Sequence, residues 1–392
     1  LNFVPYDRMD PSRFFPSLPI HISEIPFTIL DSFVSKAEKT ARSLDTPSIP
    51  TLHFIRDDLL PFGFGTKWRK TQGILQYLQK NRIQKVLLWG AIHGNYLASF
   101  TTILRKNGFT VDTIAYTRDP HLRSYNERLV RGHSHTLVCY ANRKVTFDDW
   151  LAKEKEYQGL SLPEFGIHSG QNLGLRSFWQ EIEKKIIQFL DTSQPKFQRH
   201  KINAILRMEI GSGATFLSAF DFFYGTSLLV QGVMVGENKE TWQKKTEDLQ
   251  KQLGLKIIPI PTEQILEIPK EGKNSEAHLQ FDNNRNKTTV SFGKQSKSQK
   301  EWIREFYRNT NILLEPIYSG MTVKPLLREL NEMQITTMSK PLPTPSESLP
   351  NPPSSLSSGT NPISSIQPVP IFYLHQGGQI QHLDLILEKD HQ

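Results

Sequence analysis

The strongest constraint on the fold is the stretch KVLLWGAIHGN, Lys85–Asn95. It is a continuous apolar run ending in glycine, the pattern of a parallel strand covered on both faces. Helical spacing follows from Tyr96 to Asn107, and Gly108 closes it as a C-terminal cap. FTVDTIAY (Phe109–Tyr116) is a second strand, so residues 85–116 read as one βαβ unit of an α/β domain. Farther on, NAILRMEIGSGATFLSAFDFF (Asn203–Phe223) reads as strand, Gly-rich turn and helix. SLLVQGVMVG (Ser227–Gly236) reads as the strand after it.

The 392 residues suffice for two domains or one large two-lobed one. The smaller α/β lobe is expected at about 70–180, and the larger at 1–69 plus 181–392. A short strand is expected over Leu52–Asp58 and helices at about 67–81, 180–190, 240–254, 300–311 and 322–333, the last with Pro325 in its first turn. Residues 340–369 are dominated by Pro, Ser, Thr and Asn and cannot bury enough apolar area to offset their ordering entropy. A strand, VPIFYLHQGG (Val369–Gly378), follows them, so the segment reads as a disordered insertion within the larger lobe.

The single cysteine, Cys139 in LVCY, excludes an internal disulfide or a Cys-based zinc site, and it reads as a small buried hydrophobe. It suits a reducing, cytoplasmic setting. No apolar run approaches the roughly 18 residues that span a bilayer, and no signal-peptide core is visible, so no membrane association is expected. The net charge of +8 is spread along the chain without aromatic interleaving, so no nucleic-acid partner is expected. His133 and His135 read as a solvated loop, and no metal site is expected.

Five segments carry candidate chemistry. FGFGTKWRKTQGIL (Phe62–Leu75) puts Lys67 at a helix start, where the macrodipole disfavours a cation. It is either a surface lysine or an amine whose pKa is depressed by burial and by the neighbouring Arg69 and Lys70. GSGAT (Gly211, Ser212, Gly213, Ala214, Thr215) lies between strand and helix and suits a phosphate. It lacks the Lys-Ser/Thr of a nucleotide-binding P-loop and the third glycine of a dinucleotide fingerprint. GAIHGN (Gly90–Asn95) ends the first buried strand, where ligands of parallel sheets sit. There Asn95 is either a ring-hydroxyl ligand or a helix cap, and His93 either touches substrate or makes a structural hydrogen bond. EPIYSGMT (Glu315–Thr322) and FYLHQGGQ (Phe372–Gln379) each join a strand to a Gly-containing turn.

In this order the five segments resemble the 1-aminocyclopropane-1-carboxylate deaminase / D-cysteine desulfhydrase family, among the tryptophan-synthase-β-like, fold type II pyridoxal-phosphate enzymes. RDDLLPFGFGTKWRK is similar to that family's Arg-Asp-Asp-Leu … Gly-Asn-Lys-x-Arg-Lys, and ILLEPIYSGM to its Leu-Asp-Pro-Val-Tyr-Thr-Gly-Lys. PIFYLHQGG is similar to its Phe-x-His-Thr-Gly-Gly. The resemblance implies a two-lobed α/β fold with parallel sheets flanked by helices, pyridoxal phosphate as cofactor, a small amino acid as substrate and a homodimer. It implies Lys67 as the lysine bonded to the cofactor and as the base for the α-proton. It places Asn95 on the ring oxygen, Gly211–Thr215 on the phosphate, Ser319 beside the pyridine nitrogen with Gln376 near it, and Tyr318 over the substrate end. A hydroxyl at Ser319, where ring-opening members carry a carboxylate, implies a more nearly neutral ring and favours β-elimination. Gly94 and Phe292 stand where the family has a serine and a tyrosine near the substrate, and Thr66 and Gln376 where it has Asn and Thr. These departures leave two readings, an active lyase or deaminase and a cofactor-binding homologue with little turnover.

Overall fold

The computed structural model describes residues 18–26, 50–193, 202–268, 297–338 (backbone only for 331–338) and 369–378. Phe292 and the expected 340–369 insertion, save Val369, lie outside them. Along the chain run β1 (Ile22–Ile25), β2 (Leu52–Arg56), α1 (Lys67–Lys80), β3 (Lys85–Ala91), α2 (Asn95–Lys106), β4 (Thr110–Tyr116) and α3 (Tyr125–His133). Then come β5 (Thr136–Tyr140), α4 (Arg143–Glu154), β6 (Leu160–Leu162), α5 (Ser169–Ser193), β7 (Ala204–Ile210), α6 (Ala214–Phe223) and β8 (Leu228–Met234). The rest are α7 (Lys239–Gln243), α8 (Thr246–Gln252), β9 (Ile265–Glu267), α9 (Lys297–Thr310), α10 (Ser319–Met338) and β10 (Ile371–His375).

The strands form two sheets, β5-β4-β3-β6 and β1-β2-β10-β7-β8-β9. Every pairing is parallel except β1 with β2. The βαβ reading of 85–116 holds in register, with Lys85 opposite Thr110 and Ala91 opposite Tyr116. Both faces of β3 are covered, as its unbroken apolar run requires. Val86 and Leu88 pack with α1 and α2, while Leu87 and Trp89 pack against Trp150 of α4. In the larger sheet, Met208 and Leu374 face α5 and α6, whereas Phe54 and Tyr373 face α9 and α10.

Helix α1 joins the two sheets. Ile74, Leu75 and Leu78 belong to the smaller sheet's core, while the opposite face lies against α5. That crossing is made backbone to backbone. A Cβ on Gly73 would fall 2.2 Å from Gly170 O, and one on Gly174 2.0 Å from Arg69 O. Both expected lobe boundaries fall inside these crossing helices, α1 and α5.

Several local expectations are corrected. The helix expected at 240–254 is broken into α7 and α8 by Lys244 and Lys245. Helix α10 starts at Ser319, so Pro325 lies beyond its first turn and removes an interior hydrogen bond. Cys139 is exposed, because β5 is an edge strand with one poorly covered face. His133 ends α3 and its Nδ1 lies 2.9 Å from Leu129 O, rather than sitting in a loop.

Candidate functional site

The five segments converge at the carboxyl ends of both sheets. The turn before Lys67 is fixed by the turn after β10. Gly65 has a φ of 59°, and a Cβ there would lie 1.9 Å from Gln376 O, so only glycine fits. Thr66 N donates to Gln376 O at 3.1 Å and Gly378 N to Gly63 O at 2.8 Å. Gly378 in turn packs between the two halves of the site. A Cβ on it would meet Glu315 Cγ at 2.8 Å and Asn95 Nδ2 at 3.2 Å. On the far side, a Cβ on Gly211 would meet the Tyr318 ring at 3.2 Å, so Tyr318 lies against the expected phosphate loop.

Lys67 is the first residue of α1 and is partly buried. Burial pushes its ammonium pKa down, and the carboxylates of Glu315 and Glu209 pull it back up. The expected cause, neighbouring cations, is therefore corrected, since neither Lys70 nor Arg69 contributes to the Lys67 shift. That guanidinium is buried on the Phe178 ring, ion-paired to Asp57 at 2.8 Å, and donates to Leu18 O and Pro19 O. Lys70 does feel Lys67. Burial first, then the Lys67 charge, brings its pKa down to about 7.

Glu315 is fully buried, and burial raises its pKa to about 8 although Ile317 N and Tyr318 N both donate to its carboxylate at 2.7 Å. The Ser319 hydroxyl closes the same turn. It accepts from Glu315 N at 2.8 Å and donates to Glu315 O at 3.2 Å. Burial, followed by Glu315 and Glu209, pushes the Tyr318 phenol up. Gln376 Nε2 donates to Glu209 O at 2.7 Å and to Glu209 Oε2 at 2.8 Å.

Gly213 takes a φ of 90° at the start of α6 and packs on Trp242, whose Nε1 would be 2.8 Å from a Cβ there. Trp242 Nε1 and Thr215 Oγ1 are buried without a hydrogen-bond partner among the described residues. Two orphaned polar groups beside an uncapped helix start suit an anion with several acceptor oxygens.

The smaller sheet's edge is more self-contained. Gly94 caps α2, and its N–H, the only donor the sequence reading left it, is already given to Ala91 O at 3.0 Å. His93 has both ring nitrogens engaged, Nδ1 with Ser124 Oγ at 2.7 Å and Nε2 with Thr117 Oγ1 at 3.1 Å. These are the hydrogen bonds that its structural alternative calls for. Asn95 opens α2, and its Oδ1 accepts from Asn126 Nδ2 at 2.8 Å, which orients its own Nδ2 toward Gly378.

Sequence reasoning assigned no role to Glu209, Glu315, Trp242, Tyr373 or Asn126. Glu209 carried a signal, because an acidic residue near the end of AILRMEI, a strand buried on both faces, needs a dedicated partner. Among the described residues no cluster of His, Cys, Asp and Glu is placed to hold a metal, and no helix is long and apolar enough to cross a membrane.

No family model matches the chain, and no curated protein matches it. Solved structures do. An ACC deaminase homologue superposes with a TM-score of 0.58 at 16% identity, covering 97% of this chain and 99% of its own. A pyridoxal 5'-phosphate-dependent aspartate racemase gives 0.53 at 11% identity, with 93% of each chain covered. Serine racemase from Dictyostelium discoideum gives 0.51 at 10% identity, over 94% of this chain and 95% of its own. At these identities the likeness speaks for architecture, and it matches the parallel sheets and facing strand ends described above: the chain has the two-lobed, tryptophan-synthase-β-like fold of the type II pyridoxal-phosphate enzymes.

Proposed function

We propose that the chain is a pyridoxal-phosphate-dependent lyase or deaminase acting on a small amino acid, in a D-cysteine desulfhydrase-like elimination that yields a keto acid and ammonia. The observation that carries this reading is Lys67, a pKa-depressed amine between the 62–66 and 376–378 turns, together with the buried Thr215 Oγ1 and Trp242 Nε1 beside the 211–215 turn, which have no partner among the described residues. The cofactor would lie in a cleft between a lobe of about 70–180 and one of 1–69 plus 181–392. The residues present fit the cofactor. Gly211, Ser212, Gly213, Ala214 and Thr215, with Trp242, would hold its phosphate, and Lys67 Nζ would bond its aldehyde. Asn95 Nδ2 would meet the ring hydroxyl, and Ser319 and Gln376 would flank the ring nitrogen. Once bound, the cofactor supplies an electron sink for charge developing at the substrate α-carbon.

The chain's own chemistry centres on Lys67. Burial lowers its pKa and so favours the unprotonated amine, the form in which Nζ can take the α-proton. Tyr318, with its raised pKa, stays a neutral phenol able to donate. His93, Gly94 and Phe292 would border the substrate. A cytoplasmic homodimer completes this reading.

Incubation with pyridoxal phosphate, borohydride reduction and peptide mapping tests it. A covalent mass addition on the Lys67 peptide, absent in Lys67→Ala, is expected, together with keto acid release from D-cysteine. An unmodified Lys67 peptide would sink the proposal. A second reading, a cofactor-binding homologue with little turnover, is favoured by the already engaged Gly94 N–H and His93 ring. It keeps the Lys67 adduct but gives no keto acid from a panel of D- and L-amino acids.

A further inference from the structure

Glu209 is a buried carboxylate with an incomplete set of partners. It sits one residue from the end of β7, 3% exposed. The Tyr373 hydroxyl donates to Oε1 and Gln376 Nε2 to Oε2. Both donors are neutral. Arg207, two residues earlier and so on the same face of the strand, is taken by Glu329 and Gln231. Among the described residues no cation lies within ion-pair distance of Glu209. Lys67 is near enough to feel its charge but is not paired to it. A buried charge is tolerated when it is paired, so this arrangement calls for a cation brought from outside.

The surroundings identify the cation. Gln376, which holds Glu209, and Ser319 are the residues expected to flank the cofactor's ring nitrogen. Thr322 Oγ1 bonds the Tyr373 hydroxyl and lies 3.4 Å from Ser319 O, so the Glu209 network reaches the same place from the strand side. The Ser319 hydroxyl, by contrast, spends its proton on Glu315 O. We propose that the Glu209 carboxylate is the counter-ion of a protonated cofactor ring nitrogen, with Tyr373 and Gln376 as its positioning residues. The inference rests on the cofactor reading above. It replaces the expectation of a nearly neutral ring, drawn from Ser319, with a cationic ring and a stronger electron sink. The charge comes from β7, not from the start of α10.

Binding of two probes tests the proposal without measuring turnover. One is pyridoxal phosphate and the other its carbocyclic analogue, in which C–H replaces the ring nitrogen. Wild type should prefer the natural compound by about tenfold, the scale of one charge-assisted hydrogen bond. Glu209→Gln, which keeps the shape, should bring the ratio of dissociation constants close to one while both compounds still bind. Tyr373→Phe should lower the ratio partway, and Ser319→Ala should change it less than Glu209→Gln does. An undiminished preference in Glu209→Gln, with its circular dichroism intact, overturns the proposal, as does a preference abolished only by Ser319→Ala. If wild type binds neither compound, the cofactor reading fails first and takes this inference with it.

Discussion

The two strand ends that face each other across the cleft are finished in opposite ways. On the larger sheet, β7 and the helices beside it leave polar groups waiting, namely Thr215 Oγ1 on α6, Trp242 Nε1 on α7 and the Glu209 carboxylate, which is hydrogen-bonded but has no ion-pair partner among the described residues. On the smaller sheet, the 91–95 turn after β3 is more nearly satisfied, with the Gly94 N–H on Ala91 O and the His93 ring between Ser124 and Thr117, and with Asn126 Oδ1 beside it left without a partner among the described residues. An unmet buried polar group costs stability unless something binds it, so under the proposed function the larger sheet's edge would hold a permanent guest. The smaller sheet's edge depends less on one, which under the proposed function would suit a surface that meets a substrate only in passing.

The largest test of this contrast is Gly65→Ala. The methyl would overlap Gln376 O in a backbone already at φ 59°, so the two turns must separate. A loss of about 3 kcal/mol in stability is expected, from strain plus the broken turn pairing. Thermal unfolding measures it. Cofactor affinity should fall together with stability, because the same contact positions Lys67. A fall in stability without loss of affinity would show that the larger sheet's edge holds its guest independently of that turn.

The pH dependence of stability without cofactor comes next, and its sign differs for the two kinds of buried group. Glu315 titrates near 8 when folded and near 4.5 when unfolded, so between those values the folded chain holds the extra proton and stability falls as pH rises. Lys70 titrates near 7 when folded and near 10.5 when unfolded, so between those values the unfolded chain holds the extra proton and stability rises with pH. Lys67 adds to the rising limb, since its pKa is also lowered. Denaturant midpoints should pass through a minimum near pH 7–8, where these windows overlap. Glu315→Gln should flatten the acid limb, and Lys70→Met should reduce the slope of the alkaline one.

Thr215→Val separates guest from host. It removes a buried hydroxyl with no partner while keeping the shape, so the cofactor-free protein should gain stability, by about 1 kcal/mol. Affinity for pyridoxal phosphate should drop about tenfold through the lost hydrogen bond. A variant that loses both, or neither, would show that Thr215 serves the fold rather than the phosphate.

Much of this architecture was legible in the sequence because it rests on local rules. The run at Lys85–Ala91 could only be a strand covered on both faces, and Gly211–Thr215 could only be a turn into a helix. The five segments also lie at the carboxyl ends of their strands, with contacts from Gly65 to Gln376, from Gly378 to Asn95 and Glu315, and from Gly211 to Tyr318. What stayed hidden depends on neighbours far apart in sequence. Glu209 gains its meaning from Tyr373 and Gln376, more than 160 residues away, and the separations of 164 and 167 are beyond any spacing rule. Trp242 reaches Gly213 from another helix, and Arg69 is neutralised by Asp57, which no helical periodicity connects to it. The apolar look of LVCY points Cys139 inward, whereas strand order, which no local pattern reveals, puts its strand at an edge.

The smallest expected change in stability carries the sharpest functional contrast. Gly94 has φ −79° and ψ 140°, an extended conformation open to any residue, and it occupies the cap of α2, where serine is favoured. A serine hydroxyl there can accept from the second or third N–H of α2 and adds about 1 kcal/mol. Against that, the new Cβ would sit 3.0 Å from Ala91 O and must push it by a few tenths of an ångström. The two effects nearly cancel, so the unfolding temperature of Gly94→Ser should stay within about 4 °C of wild type. Function should not stay put. The hydroxyl would stand at the cleft end of α2, next to Asn95, on the edge that now offers little to a substrate. If the chain is an active lyase whose substrate has shifted, Gly94→Ser should alter the ratio of turnover between D-cysteine and the preferred amino acid. If it is a binding homologue with a lost substrate contact, the same variant should raise turnover from near zero. Unchanged kinetics on the full amino-acid panel would mean that the 91–95 turn takes no part in handling substrate, and the contrast between the two sheet edges would then be structural alone.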